Sequence, residues 1–263
     1  MTTLQSQHVP FLHTEHAVRR IGDADLNWAL AEGWKDFRER RGDILFLALI
    51  YPVVGFAAAA AALDQKFLPL LFPVVAGLSI MGPAVASGFY EIARRREAGL
   101  DSGWVHFFEP VLGPSRAGLL WLTLGLAVLF AGWLVAAFLV FESTIGVYPA
   151  GGLAEFFRQV FTTPEGWAMI VIGNLVGFIF ALVTLVFGVV SFPMVIDKPV
   201  DAATAAATSA RAVAENPRVM ASWGLRVAVL LALGSLPGFV GLAVVLPVLG
   251  YATWHLYTRL VER

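Results

Sequence analysis

AGLLWLTLGLAVLFAGWLVAAFLVF, from Ala117 to Phe141, runs without a single Asp, Glu, Lys, Arg or His. A helix rises about 1.5 Å per residue and the hydrocarbon of a bilayer is about 30 Å thick, so about 20 such residues suffice to cross it. Three further stretches share this character: ILFLALIYPVVGFAAAAAAL from Ile44 to Leu63, Leu68 to Tyr90 behind the tight turn Asp64-Gln65-Lys66, and Trp167 to Val195. The last apolar stretch, Val219 to Tyr257, is too long for one crossing and suits two short ones. Gly234-Ser235-Leu236-Pro237-Gly238 near its middle is a turn signal. It divides the stretch into Val219 to Leu236 and Phe239 to Tyr257, the second arm kinked at Pro247. The expected class is therefore all-α: a polytopic membrane protein with six transmembrane helices in three hairpins. The spans are about 44–63, 68–90, 117–141, 167–195, 219–236 and 239–257, and residues 1–43 form a polar leading segment.

Charge sets the orientation. Cytoplasmic loops of membrane proteins collect Lys and Arg, and the six-span reading places every Lys and Arg on one side except Lys66 and Arg158, out of 18 in all. A single final crossing would move Arg259 and Arg263 to the other side and weaken the asymmetry. Both termini are thus expected in the cytoplasm.

Composition agrees and excludes. Of 263 residues, 58% are hydrophobic and 14% charged, with a mean hydropathy of +0.75; a soluble domain carries roughly a quarter charged residues. A net charge of −1 offers no basic field for nucleic acid. The absence of cysteine removes thiolate metal sites, disulfides and cysteine nucleophiles together. The first apolar run begins behind His8, Glu15, Asp23, Asp25 and Asp36, which does not suit a cleaved secretory signal.

Amphipathic stretches join the spans. Leu26, Leu30, Trp34 and Phe37 share one face of a helix over 23–41, with Glu32, Lys35, Asp36 and Glu39 opposite and Asp23 or Asp25 as N-cap. This helix is expected on the cytoplasmic surface with Trp34 at headgroup depth; Phe37 and Trp254 join it as interfacial anchors. A second helix, Val200 to Glu215, carries a stripe of Ala203, Ala207, Ala210 and Ala214 suited to close packing. It ends at Asn216-Pro217. Leu153 to Phe161 reads as a short surface helix on the outer side.

Chemistry is scarce. Ionisable residues within a membrane usually mark ion paths or ligands, but here Arg226 snorkels back from two turns inside the fifth span and Glu142 and His255 lie at span ends. Ser79, Ser87, Thr123, Asn174, Thr184 and Ser235 are the polar residues left at depth. A bis-histidine haem would need His106 and His255 facing one iron, and His8, His13 and His16 are spaced irregularly for a metal. No phosphate-binding loop, zinc-protease or nucleophile-elbow motif appears. The expectation is a non-enzyme with no catalytic residue, cofactor or metal. Transport would suit only a neutral or lipid-like substrate, through a cavity reaching Asn174 or Ser79.

Three motifs carry a resemblance: Ala31-Glu32-Gly33-Trp34-Lys35-Asp36-Phe37; Gly82-Pro83-Ala84-Val85-Ala86-Ser87-Gly88-Phe89-Tyr90-Glu91-Ile92-Ala93-Arg94-Arg95-Arg96-Glu97-Ala98-Gly99; and Leu246-Pro247-Val248-Leu249-Gly250-Tyr251-Ala252-Thr253-Trp254-His255-Leu256-Tyr257. From about Asp25 to Arg259 the chain resembles the domain of unknown function 2189 family of bacterial integral membrane proteins. Some of its members are labelled cytochrome c oxidase subunit I-like. Five histidines, so placed, contradict a catalytic version of that label and leave an accessory role beside a respiratory complex. The resemblance brings no catalytic residues. If a site exists, it is expected at the cytoplasmic side, where Glu91 pairs with Arg94, Arg95 or Arg226 and His255 lies nearby; Glu91 to Arg95 has helix-pair spacing. The functional expectation is an auxiliary or assembly subunit whose partners are the lipid bilayer and subunits of a membrane complex. The alternative is a transporter or lipid-handling protein.

Overall fold

A computed structural model of the chain describes residues 17–48, 73–74, 76–146 and 152–263. Among them every regular element is helical. These are α1 (Asp23–Ala48), α2 (Gly82–Glu97), α3 (Glu109–Leu112), α4 (Arg116–Thr144), α5 (Gly152–Thr162), α6 (Pro164–Gly188), α7 (Ser191–Asp197), α8 (Ala202–Glu215), α9 (Pro217–Ser235) and α10 (Leu242–Leu260). The chain is an all-α polytopic membrane protein. Arg116–Thr144, Pro164–Asp197 and Pro217–Ser235 are long and apolar enough to cross a bilayer, and they correspond to the third, fourth and fifth expected spans. Most of the expected span 44–63 and the start of 68–90 lie outside the described residues. The expected sixth arm is α10, with Pro247 inside it.

Glycine spacing builds the central hairpin. Gly118, Gly125 and Gly132 stand seven apart on α4. A Cβ added to them would lie 2.7 Å from Val195, 2.9 Å from the Phe187 ring and 3.6 Å from the Phe180 ring. Contacts that climb α4 while descending the partner make the pair antiparallel, and side chains that enter glycine gaps bring the helices close. The exchange is mutual: Gly177 on α6 lies under the Trp133 ring, whose Nε1 donates to the Pro73 carbonyl at 2.7 Å. At the far end α5 folds back so that Phe156 meets Phe141. The Thr163 hydroxyl caps α6, accepting from the Gly166 N–H at 3.0 Å.

The fourth expected span, Trp167 to Val195, is not one continuous helix. It breaks at Val189–Val190 between α6 and α7. Pro193 accounts for the break: it has no N–H to give the Val189 carbonyl, and its ring crowds that group. The Val190 N–H instead donates to the Ser209 hydroxyl of α8 at 3.2 Å, so the interruption leaves this donor satisfied.

The polytopic character is visible in where burial falls. The largest fully buried side chains include Phe89, Phe192, Trp223, Tyr251, Trp254 and Tyr257, drawn from one end of α2, α7, α9 and α10. Along the spans the exposed residues are themselves large and apolar, such as Leu120, Trp121 and Phe138 on α4 and Leu175 and Phe178 on α6. A packed cap thus sits at one end of helices whose outer faces suit lipid tails.

Two amphipathic helices depart from expectation. The inward face of α1 is Leu26, Ala29, Gly33, Asp36 and Phe37, packed along α10, while Trp34 is half exposed. Asp36, expected on the solvent face, is buried, because the His255 ring of α10 meets it there at 2.8 Å. The extended residues Ala17–Arg19 lie beside the chain end, Arg19 N–H donating to the Leu260 carbonyl at 2.8 Å and Glu262 N–H to Ala17 at 3.1 Å. On α8 the expected packing stripe Ala203, Ala207, Ala210 and Ala214 is exposed. The buried face is Ala205, Thr208, Ser209 and Ala212, which turns the Ser209 hydroxyl toward the Val190 N–H.

Candidate functional site

Helices α1, α2, α3, α7, α9 and α10, with the connection from α2 to α3, deliver charged side chains to the capped end, where they form four groups. The first surrounds Glu91. Its buried carboxylate receives the Arg94 guanidinium two-pronged, Nε at 2.8 Å and Nη2 at 2.7 Å, with Arg95 at 3.8 Å. Arg95 also reaches the Glu109 carboxylate at 2.9 Å. Glu109 in turn touches His106 Nδ1 at 2.6 Å, and Asp101 holds Nε2 at 2.9 Å. Hydrogen bonds to Asp101 first and Glu109 second raise the His106 pKa above its ordinary value. The same imidazole lowers both carboxylates.

The second group centres on His255. Its Nε2 lies 2.8 Å from Asp36 Oδ2, and Arg96 approaches Asp36 Oδ1 at 3.3 Å while pairing with Glu39. Trp28, outside the expected apolar stripe, presents an edge to the His255 ring and a face to Arg259, whose guanidinium carbon sits 4.0 Å above it. In the third group Arg226 donates to Asn27 Oδ1 at 2.8 Å and lies 3.6 Å from Asp23. In the fourth, Arg263 binds Asp197 through Nε and Nη2, both at 3.1 Å, and Glu97 at 2.8 Å. Tyr257 donates to Asp197 at 2.8 Å and Trp254 Nε1 to Glu97 at 3.1 Å. An open cleft of about 470 Å³ lies over this last group, lined by Arg94, Glu97, Ala98, Asp197, Lys198 and Arg263.

Of the expected cluster, Glu91, Arg94 and Arg95 come together. Arg226 pairs with α1 and its N-terminal turn, not with Glu91, and His255 belongs to the Asp36 group. His106 and His255 are held by different carboxylates. Trp34 and Phe37 stack on each other at 5.7 Å on α1, whereas Trp254 is fully buried.

Sequence reasoning missed Asp36, Asp101, Glu109, Asp197 and Asn216. His106 and Glu109 stand three apart, a spacing that signals a local pair. Asn216, read as a stop signal, is a buried junction: Oδ1 accepts from the Ile21 N–H at 2.9 Å, and Nδ2 donates to the Arg19 and Ala212 carbonyls at 3.1 Å each. Among the described residues no group of three His, Asp or Glu side chains is arranged to hold a metal. Ser79 and Asn174 are both exposed on the outside of the bundle. Each bonds back to its own chain, Ser79 to the Ala76 carbonyl and Asn174 to the Ile170 carbonyl.

Long apolar helices exposed along their length, closed at one end by a charged lattice, are the mark of an integral membrane protein. Residues 71–197 match DUF2189. The description of that family is "Predicted integral membrane protein", and it is the family the sequence resembles. The DUF2189 segment contains the Glu91 group and the α4–α6 hairpin. α1 and α8–α10, with Asp36, Arg226 and His255, lie outside the match. No curated protein and no solved structure matches the chain.

Proposed function

We propose that this protein is a non-catalytic subunit of the bacterial inner membrane, N-in and C-in, acting as an auxiliary or assembly factor beside a larger, respiratory-type membrane complex. The observation that carries the reading is the state of its ionisable groups. At the capped end Glu91, Asp36, Asp197 and Glu97 each meet cationic partners within the chain, an arrangement that holds helices in place. A nucleophile or general base needs an unsatisfied position facing a substrate. The large apolar faces of α4 and α6, by contrast, are available to lipid or to neighbouring helices.

The test is affinity purification of a tagged chain from its native membrane at native expression, with mass spectrometry against an untagged control. Stoichiometric recovery of respiratory subunits supports the role. Recovery of the chain with lipid alone refutes it and favours a self-contained lipid or small-molecule function. Cysteine accessibility at Arg20 and Arg263 reads the orientation: labelling from the cytoplasmic side supports both termini inside.

A further inference from the structure

The outward face of α6 contains one polar side chain that a lone subunit leaves in hydrocarbon. Trp167, exposed near the start of α6, donates through Nε1 to the Phe161 carbonyl at 3.1 Å and marks the membrane boundary. Asn174 stands seven residues further on, about 10 Å deeper along the helix axis. It is exposed, and its flanking exposed residues Val171, Leu175 and Phe178 are apolar. One amide N–H is satisfied by the Ile170 carbonyl at 2.7 Å. Among the described residues the Asn174 Oδ1 accepts no hydrogen bond. A polar group without a partner in the hydrocarbon carries a cost that water cannot relieve.

The positions around Asn174 form a seam. Trp167, Val171, Asn174, Phe178 and Ala181 recur at steps of four, three, four and three, and all five are exposed. This is the spacing of two helices in a left-handed coil, with Asn at a central core position. The small-residue side of α6 next to this seam is already occupied, since Gly173 and Gly177 receive Val140 and Trp133 of α4. Among the described residues no helix covers the seam, nor Leu175, Ile179 and Leu182 beside it.

We propose that two copies of the chain pair in the membrane through this seam, with Asn174 facing Asn174 across a two-fold axis. The argument for a second copy is chemical. A carboxamide is both donor and acceptor, so two of them related by a two-fold axis satisfy each other. The rest of the seam is uncharged and carries no feature that asks for a different partner. Copies of the same orientation in one bilayer place their α6 helices parallel and bring Asn174 to the same depth on both sides. The inference goes beyond the accessory role and does not depend on it.

The chain has no cysteine, so single-cysteine variants report directly. Ala181→Cys on the seam and Val128→Cys on the exposed face of α4 are expressed at native level and oxidised in intact membranes. Ala181→Cys is expected to give a disulfide-linked species of twice the chain mass, and Val128→Cys is not. Adding Asn174→Leu to Ala181→Cys lowers that species about tenfold, while Asn174→Gln retains most of it. Cross-linking of Ala181→Cys no greater than that of Val128→Cys overturns the proposal. So does cross-linking to a different polypeptide, or a yield unchanged by Asn174→Leu. Should the leucine variant fail to accumulate, Ala181→Cys in the otherwise unaltered chain decides alone.

Discussion

Two Gly→Ala substitutions separate helix propensity from helix contact in this bundle. Within a helix, Ala in place of Gly gains about 0.5–1 kcal/mol from backbone entropy. At Gly33 the new Cβ would stand 2.6 Å from the Ala252 amide nitrogen, 2.8 Å from Ala252 Cβ and 2.8 Å from the Val248 carbonyl oxygen. Comfortable separation is about 3.5–4.0 Å, so α1 and α10 must part by about 1 Å. Two of the obstructing atoms are backbone and have no rotamer to swing away. Overpacking of this kind costs about 1–3 kcal/mol, leaving Gly33→Ala net destabilised by about 0.5–2 kcal/mol. The same gap positions Asp36 against His255, so the loss includes looser pairing there. Gly173, by contrast, lies inside α6, where an added Cβ would meet only Val140 Cγ1 at 4.0 Å, an ordinary van der Waals contact. Gly173→Ala is expected to be neutral or to stabilise by up to about 1 kcal/mol. Both are measured by titrating micelles with sodium dodecyl sulfate and following tryptophan fluorescence. A Gly33→Ala midpoint at or above that of the unaltered chain would refute the close α1–α10 contact.

Three more outcomes follow from the polar groups. His106 has a raised folded-state pKa, so its contribution is fully present below its unfolded pKa of about 6.5 and is lost as pH rises through the folded value. Exchange protection over residues 100–112, corrected for the intrinsic pH dependence of amide exchange, is expected to fall as pH rises above about 6.5 in the unaltered chain and to stay level in His106→Gln. Ser209→Ala leaves the Val190 N–H without its partner, costs about 1–3 kcal/mol, and is checked by faster exchange at Val190. Asn216→Ala removes three buried hydrogen bonds for about 2–4 kcal/mol; increased protease cutting at Arg19 and Arg20 reports release of the leading segment.

What the sequence could reveal depended on the solvent each segment meets. Ala117 to Phe141 is legible because lipid accepts an apolar residue on every side, so the run needs no periodicity. The α8 stripe was misread because alanine fills so much of that helix that apolarity no longer separates its faces. Ser209 was the informative residue, since its hydroxyl faces inward to meet the Val190 N–H. Asp36 was assigned outward by its charge, and its partner His255 lies 219 residues away, a separation that local periodicity does not bridge. Glu91 with Arg94 and Arg95 was readable because helix geometry alone makes them neighbours. The break at Val189–Val190 had a signal in Pro193, hidden within a stretch whose hydropathy suggested one continuous span.

The pairing of α1 with α10 also sets a clock. Leu26, Ala29, Gly33, Asp36 and Phe37 leave the ribosome well before α10, the helix that covers them. At about 5–20 residues per second, Gly33 waits about 10–40 s for Ala252. During that interval a carboxylate and an apolar stripe are exposed together at the membrane surface. A chain halted before α10 never conceals them, so the exposure of α1 records whether α10 has been made.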